Sequence, residues 1–351
     1  MQAEAPVIHL PARADIRRIL LIKWSALGDI AVATAVMEDV RRAFPDAELH
    51  LNTLPSYESL FSADPRFARV ITIPLRRQGL ANSLRWLREV RRNRYDLIID
   101  FQSNDRSRIL LTLLRLSGAG VRWMSGNQRG FPYHVGAPSL PKETHAIIRL
   151  RANIAAAGIA PLTPLPVFHV PARNRERADQ LLRAHGLRGR RFAAFFPGCQ
   201  AAGYLKRWGA RRYAALATYL CDAGYDRVLL LGAADELEEC RAIEDFAGAA
   251  VLNLCGRTEI LDLIPLCREA SCIVANDTGT AHVTAAAAVP MVVYFGATDP
   301  RRARPIGDHV VTLQSAIWCV NCYRKHCSHQ SCVELISPEA MFEALKGLGA
   351  A

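Results

Sequence analysis

Along the chain, short runs of consecutive apolar residues alternate with longer stretches in which apolar positions recur every three or four residues. The runs are 18–24 (RILLIKW), 48–53 (ELHLNT), 69–73 (RVITI) and 96–101 (DLIIDF), then 192–197, 226–231, 250–254, 271–276 (SCIVAN) and 290–295 (PMVVYF). They are nearly continuous in apolar residues rather than alternating, the pattern of parallel strands covered on both faces. The stretches between them, such as 30–43, 82–94 (NSLRWLREVRRNR) and 210–223, carry charge on one face and read as helices. Strand–helix alternation, a break, then alternation again predicts an α/β chain of two doubly wound domains, 1–160 and 175–351. The break is the proline-rich segment 157–174 (AGIAPLTPLPVFHVPARN). Such sheets bind ligands outside the carboxyl ends of their strands, so the site is expected in a cleft between the two domains. The C-terminal helix is expected to pack back on the N-terminal domain.

Composition narrows the setting. The 351 residues suffice for two domains, and half are hydrophobic, enough for sizeable cores. Forty-four Lys and Arg against 33 Asp and Glu suggest an anionic partner without choosing among nucleic acid, a phosphorylated substrate and an acidic membrane. The start, MQAEAPVIHLPARADIRR, has no uninterrupted apolar core of a signal peptide, and no run approaches a membrane span, so a cytoplasmic location is expected. Six of the ten cysteines are scattered and read as small buried hydrophobes of a reducing compartment. The other four, Cys319, Cys322, Cys327 and Cys332, crowd into WCVNCYRKHCSHQSC. Zinc or an iron–sulfur cluster there is one reading. A loop of thiols is favoured over it, because ligands so close in one segment make a cramped cage.

Four segments could carry chemistry. In 271–300 a strand ends at Asn276-Asp277, and Thr278-Gly279-Thr280 turns the chain into an alanine-rich helix with His282 in its first turn. The helix start offers unpaired amides suited to a diphosphate, although an ordinary Asp/Thr cap reads the same way. In FFPGCQAAGYLKRW a glycine loop leads to Lys206-Arg207-Trp208, either a phosphate-neutralising cation or a solvated basic pair beside a core tryptophan. In LLLGAADELEE, Glu236 follows a strand by a few residues and could accept both hydroxyls of a ribose, or serve as an acid at a helix start. In KWSALGDI the first strand opens into a turn holding Gly28 and Asp29, with no GxGxxG or GKS/GKT spacing. Asp29 is a helix cap or a general base.

Taken together, these segments resemble glycosyltransferase family 9, the ADP-heptose:lipopolysaccharide heptosyltransferases. The resemblance covers roughly 18–345. It rests on the S-x-x-G-D turn, a D-x-Q segment (DLIIDFQSNDRSR), FPG…KRW, LLGAADELEE, LCGRTEILDLIPLCREASCIVANDTGTAH and YFGATDP, in the family's order. It implies two Rossmann-like domains of the GT-B type and inverting transfer of heptose from ADP-heptose to the lipopolysaccharide inner core. By motif match, Asp29 falls on the catalytic aspartate, Lys206 on the lysine at the donor diphosphate and Glu236 on the ribose-binding acid. Asp277, Thr278, Gly279 and His282 fall on the donor-binding D-T-G-x-x-H. Ser25, Gly28, Gln102 and Arg106, from the first two motifs, are placed on the acceptor side.

The resemblance implies no required cofactor, with Mg2+ at most stimulatory. It implies an anionic glycolipid acceptor, and Arg76, Arg77, Arg85, Arg88, Arg91, Arg92 and Arg94 suit peripheral attachment to the inner membrane surface. The chain is expected to act as a monomer and not to bind nucleic acid, since no recognition motif accompanies its charge. A related transferase using another nucleotide sugar or acceptor is the main alternative. A two-lobed solute-binding protein fits the architecture but not the missing export signal or the free cysteines.

Overall fold

The computed structural model describes residues 8–75, 79–199 and 205–351. Arg76, Arg77 and residues 200–204 of the glycine loop lie outside these. The chain divides into two compact units, Met1–His169 and Val170–Ala351. The division falls inside the proline-rich segment.

The first unit contains β1 (Arg18–Ile22), α1 (Leu27–Ala43), β2 (Glu48–Thr53), β3 (Arg69–Thr72), α2 (Gly79–Asn93), β4 (Leu97–Asp100), α3 (Asp105–Leu116), β5 (Trp123–Gly126), β6 (Val135–Gly136) and α4 (Ala146–Ala156). Its six strands are parallel, in the order β3-β2-β1-β4-β5-β6. One face of the sheet meets Trp86 and Val90 of α2 and Leu110, Leu111 and Leu114 of α3. A buried amide knits this layer: Asn52 Oδ1 accepts from both Trp24 Nε1 and Trp86 Nε1 at 2.7 Å, and its Nδ2 donates to the Ile71 carbonyl. Both indole N–H groups thus find the partner that burial requires.

The second unit contains α5 (Ala172–Ala184), β7 (Phe192–Phe196), α6 (Ala210–Asp222), β8 (Arg227–Leu230), α7 (Leu237–Ala247), β9 (Val251–Asn253), α8 (Leu263–Arg268), β10 (Cys272–Asn276), α9 (Gly279–Thr284), β11 (Met291–Phe295), α10 (Pro300–Ala303), β12 (Val310–Gln314), α11 (Ser331–Glu334) and α12 (Pro338–Gly347). Its parallel sheet runs β12-β11-β10-β7-β8-β9, which is the first unit's order repeated. Alternate residues serve opposite faces. Ala193, Phe195, Val228 and Leu230 enter one core, and Phe192, Ala194, Phe196 and Leu229 the other. That two-sided burial is why these runs read as continuous rather than alternating.

All nine strand runs form strands. Three further strands, β5, β6 and β12, escape the pattern. β5 reads WMSG, with a buried serine and a glycine in place of aliphatics, β6 is two residues long, and β12 is a half-buried edge. α12 packs on α6 within the second unit. Trp208 Nε1 donates to the Ile336 carbonyl at 2.8 Å, and Arg191 to that of Ala350 at 3.0 Å, fastening this C-terminal segment to the second unit.

Candidate functional site

In each unit the strand order reverses beside the first strand: between β1 and β4 in one, between β7 and β10 in the other. At such a point the following helices leave to opposite faces and a crevice opens at the strands' carboxyl ends. The candidate residues collect at these two crevices.

In the first unit, α1 begins at Leu27, three residues earlier than the pattern predicts, because the S-A-L-G-D turn is already helical at its end. Asp29 stands in the first turn of α1. One carboxylate oxygen accepts from the Ala26 amide at 3.2 Å, and the residue is exposed. It therefore braces the turn and still presents a carboxylate to solvent. Gln102 bridges the crevice: its Oε1 accepts from the Trp24 and Ser25 amides at 2.9 and 3.2 Å, holding the turn to the exit of β4. Arg106 is exposed at the start of α3 and donates to the Leu75 carbonyl.

Two buried charges lie behind this turn. Asp100 is fully buried and accepts from the Gln102 and Ser103 amides, Ser107 Oγ and Tyr133 OH at 2.7–3.0 Å. Burial pushes its carboxyl up, and those four donors oppose the shift. Lys23, also buried, donates to the Phe101 carbonyl at 3.4 Å. Burial lowers its ammonium, while the charges of Asp29 and Asp100 raise it. The Lys23 amine thus lies within the fields of two carboxylates at the end of β1.

In the second unit, KRW splits into three roles. Trp208 is fully buried, edge-on to Tyr213 at 5.1 Å between ring centroids. Arg207 donates to the Cys199 carbonyl at 3.1 Å and pairs with Glu239 at 3.4 Å. Lys206 turns the other way, its Nζ 2.6 Å from Asp277 Oδ2, which also accepts from Thr298 Oγ1 at 2.6 Å. The buried Asp277 carboxylate is thereby paired, as burial demands. It is not the helix cap: Thr278 Oγ1 takes that part, accepting from the Ala281 amide at 3.3 Å.

The alanine-rich segment is helical for only six residues, Gly279–Thr284, before a 3-10 turn over 285–287 that ends with Ala288 left-handed at φ 60°. His282 is the fourth residue of this short helix, so it closes the first turn and belongs to the last as well, and it is buried.

Glu236 lies in a cradle of two glycines. A Cβ at Gly198 would stand 2.3 Å from its carboxyl carbon, and one at Gly232 would stand 2.6 Å from Oε2. Oε2 accepts from the Ala233 amide at 2.9 Å. Burial pushes the carboxyl up, and that amide opposes. Asn276 spans this crevice as Gln102 spans the other. Its Oδ1 accepts from the Trp208 amide (3.2 Å) and Tyr213 OH (3.0 Å), and its Nδ2 donates to the Pro197 carbonyl at 2.5 Å. Arg207 reaches the Cys199 carbonyl while Glu236 lies against the adjacent Gly198, so these segments meet just past the end of β7.

The family model for glycosyltransferase family 9 (heptosyltransferase) matches residues 83–333, more than half of the chain. The chain belongs to glycosyltransferase family 9. Lipopolysaccharide heptosyltransferase 1 of Pseudomonas aeruginosa is 28% identical over 341 aligned residues, which cover 89% of this chain and 88% of its own. The solved structure of a family 9 glycosyl transferase from Veillonella parvula shares the fold with a TM-score of 0.78 at 21% identity, covering 95% of this chain and 97% of its own. That of Escherichia coli ADP-heptose lipopolysaccharide heptosyltransferase II gives 0.71 at 22% identity, covering 94% and 98%. This family 9 glycosyltransferase is thus an enzyme of the GT-B type, built on two Rossmann-like units.

Its sequence reading missed Lys23, Asp100, Asn276 and Thr298. Each lies inside a quoted motif, and a polar residue at the end of an otherwise apolar strand is the signal that could have found the first three. Among the described residues, no group of three or more His, Cys, Asp or Glu is arranged to hold a metal ion. Cys319, Cys322, Cys327 and Cys332 are half-buried free thiols. Burial pushes the Cys332 thiol up, as do the other three nearby. Among the described residues no helix is long and apolar enough to cross a membrane.

Two expected results follow for this enzyme. Asn276→Ala removes the partners of the Trp208 amide, Tyr213 OH and the Pro197 carbonyl together. It should cost about 3 kcal/mol, at 1–3 kcal/mol for each buried group left unsatisfied and with partial relaxation, read as a lowered urea midpoint. Gly198→Ala should lower the unfolding midpoint, because the added Cβ would stand 2.3 Å from the Glu236 carboxyl carbon and 2.7 Å from its Cβ, which moves only with the backbone. Displacing Glu236 should weaken ADP binding by about tenfold or more in calorimetry.

Proposed function

We propose that the protein transfers heptose with inversion from ADP-heptose to the inner core of lipopolysaccharide, at Kdo-lipid A or an already heptosylated core. Family membership supports the class of reaction. Lipopolysaccharide heptosyltransferases recur among the relatives, and one structure of this fold is described as an E. coli heptosyltransferase with ADP. The observation that carries the reading is the hydrogen-bonded set of Lys206, Asp277 and Thr298, with Glu236 against Gly198 and Gly232, at the carboxyl ends of the second unit's strands. A cation beside a hydroxyl, and a half-buried acid in a glycine cradle, match a diphosphate and a ribose respectively.

In this reading Asp29 takes the proton from the acceptor hydroxyl as its oxygen attacks the anomeric carbon. The bond to ADP breaks on the opposite face of the sugar, and the leaving diphosphate gains charge. Lys206 and the amides of the Thr278-Gly279-Thr280 turn stabilise that charge. With α9 only six residues long, individual amides rather than a long helix's dipole supply this. Thr278 and Gly279 let the chain approach the diphosphate, and His282, the last residue of the D-T-G-x-x-H motif, is assigned to the donor with them. Ser25 and Gly28 keep the acceptor side of the turn open, Gln102 holds that turn in place, and Arg106 meets an anionic group of the acceptor. The reading requires no cofactor, and Mg2+ is assigned a stimulatory part. EDTA-treated enzyme should retain turnover, and loss of all activity on chelation would overturn this point.

The acceptor is a glycolipid, so we place the enzyme at the cytoplasmic face of the inner membrane, as a monomer attached peripherally. The deciding experiment presents purified protein with ADP-heptose, UDP-sugars and GDP-sugars and a Kdo-lipid A acceptor, and follows product by mass spectrometry. Heptosylated product with ADP-heptose alone is expected. Transfer from a UDP- or GDP-sugar instead would replace the donor assignment.

A further inference from the structure

The two helices that cover one face of the first unit's sheet have an unusual outer side. Inward, α2 contributes Trp86 and Val90, and α3 contributes Leu110, Leu111 and Leu114. Outward, α3 presents Ile109, Leu113 and Leu116, spaced four and three apart and so aligned in one stripe. The neighbouring α2 presents Leu80 and Leu84, four apart. These five side chains are between 46% and 83% exposed. Phe131, on the loop beside α3, extends the patch. The Arg115 guanidinium lies 4.8 Å from its ring centroid, and Arg108 donates to its carbonyl. Single exposed leucines are ordinary on a protein surface. A stripe of them on adjacent helices is not, and it marks a surface that meets something apolar.

The same two helices carry seven arginines against Glu89 and Asp105. Glu89 is engaged by Arg69 at 2.6 Å, which leaves the surface more positive still. Arg85, Arg88 and Arg92 are exposed alongside the leucines. Leucine in a stripe, flanked by arginine and nearly without free acid, is the make-up of a helix that lies in a membrane interface. A second copy of this face would bring arginine against arginine, which disfavours self-association through it.

We propose that the outer face of α2 and α3 is the surface by which this enzyme docks on an anionic phospholipid bilayer. Leu80, Leu84, Ile109, Leu113 and Leu116 enter the boundary between headgroups and acyl chains, and Arg85, Arg88 and Arg92 meet the lipid phosphates. This rests on the reading above that the acceptor is held in a membrane, and it adds where the protein touches it. The arrangement serves the chemistry within the first unit. Both helices start at the carboxyl ends of strands, the same edge as the turn bearing Asp29, and α3 begins three residues after Gln102. A protein docked by this face holds its acceptor-side crevice at the bilayer.

The test uses the full chain in co-sedimentation with vesicles of phosphatidylethanolamine and phosphatidylglycerol, and of neutral phosphatidylcholine. Wild type should bind the anionic vesicles and release in high salt. Leu84→Ser/Leu113→Ser/Leu116→Ser should weaken binding at least about tenfold, and Arg85→Gln/Arg88→Gln/Arg92→Gln about as much. Both variants should keep wild-type circular dichroism, ADP affinity and turnover on a soluble, delipidated acceptor. If wild type binds and both variants bind equally well, this face is the wrong one while the membrane reading stands. If wild type ignores anionic vesicles, the membrane reading falls and this inference with it. If the serine variant changes only the oligomeric state, the face joins copies of the chain and the proposal is overturned.

Discussion

Asp29→Asn should reduce kcat by about 10²- to 10⁴-fold, the usual contribution of a positioned general base. Affinity for ADP should stay unchanged, because the residues proposed to hold the donor belong to the other unit. The substitution is a clean one. Asp29 is exposed, and among the described residues its carboxylate accepts one hydrogen bond, from the Ala26 amide, which an asparagine oxygen can also accept. The turn should therefore keep its shape and the protein its unfolding midpoint, while the group can no longer take a proton. Steady-state kinetics with saturating donor and acceptor, beside a thermal melt, checks both halves. Turnover near wild type with an unaltered melt would return Asp29 to the role of a helix brace.

The second large effect is expected at Lys206. Lys206→Met keeps the stem and removes the cation, and should weaken ADP binding roughly 10- to 100-fold, the value of charged hydrogen bonds at 1.5–3 kcal/mol. The loss should appear in kcat as well, because charge on the leaving diphosphate is greater in the transition state than in the bound donor. Stability should fall by about 2–3 kcal/mol, because the buried Asp277 carboxylate loses its ion partner, with the partial exposure of Lys206 moderating the loss. The stranded Asp277 keeps its bond from Thr298. Calorimetric titration with ADP and a kinetic comparison at saturating donor separate the two. Combining Lys206→Met with Asp277→Asn should give less than the sum of the single effects, because the two share one bond. Unaltered ADP affinity in the single variant would remove Lys206 from the diphosphate.

Both predictions concern residues whose place was legible in the residue pattern, while their part was implied only by the family resemblance. Every strand of five or more residues except β12 lies in a run read from the hydrophobic pattern. Strands buried on both faces must be apolar at consecutive positions, and nothing else in the chain competes with that pattern. The short or half-buried strands β5, β6 and β12 lack this requirement and so lack the signal. Site positions were legible for a related reason, since a polar cluster at the end of an apolar run marks a strand's carboxyl end.

Which member of each cluster does what depends on partners far away in the chain. Lys206 and Arg207 are adjacent cations with the same prior, and only the fold sends one to Asp277, 71 residues on, and the other to Glu239. Asp277 and Thr278 both suit a helix cap, and the hydrogen bonds give the cap to Thr278 alone. Gln102 and Asn276 read as candidate binders or as nothing. The tertiary structure makes each a strut across its crevice, because two strands distant in sequence are neighbours only in the sheet. Even the exposed leucines of α2 and α3 look like any helix's apolar residues until the core claims the opposite side. By itself the sequence determined the elements, the repeated doubly wound plan and the neighbourhoods of the chemistry, since periodicity and strand ends are local. Only the tertiary structure decided which side chains are braced, paired or left facing outward, because that depends on contacts that periodicity cannot encode.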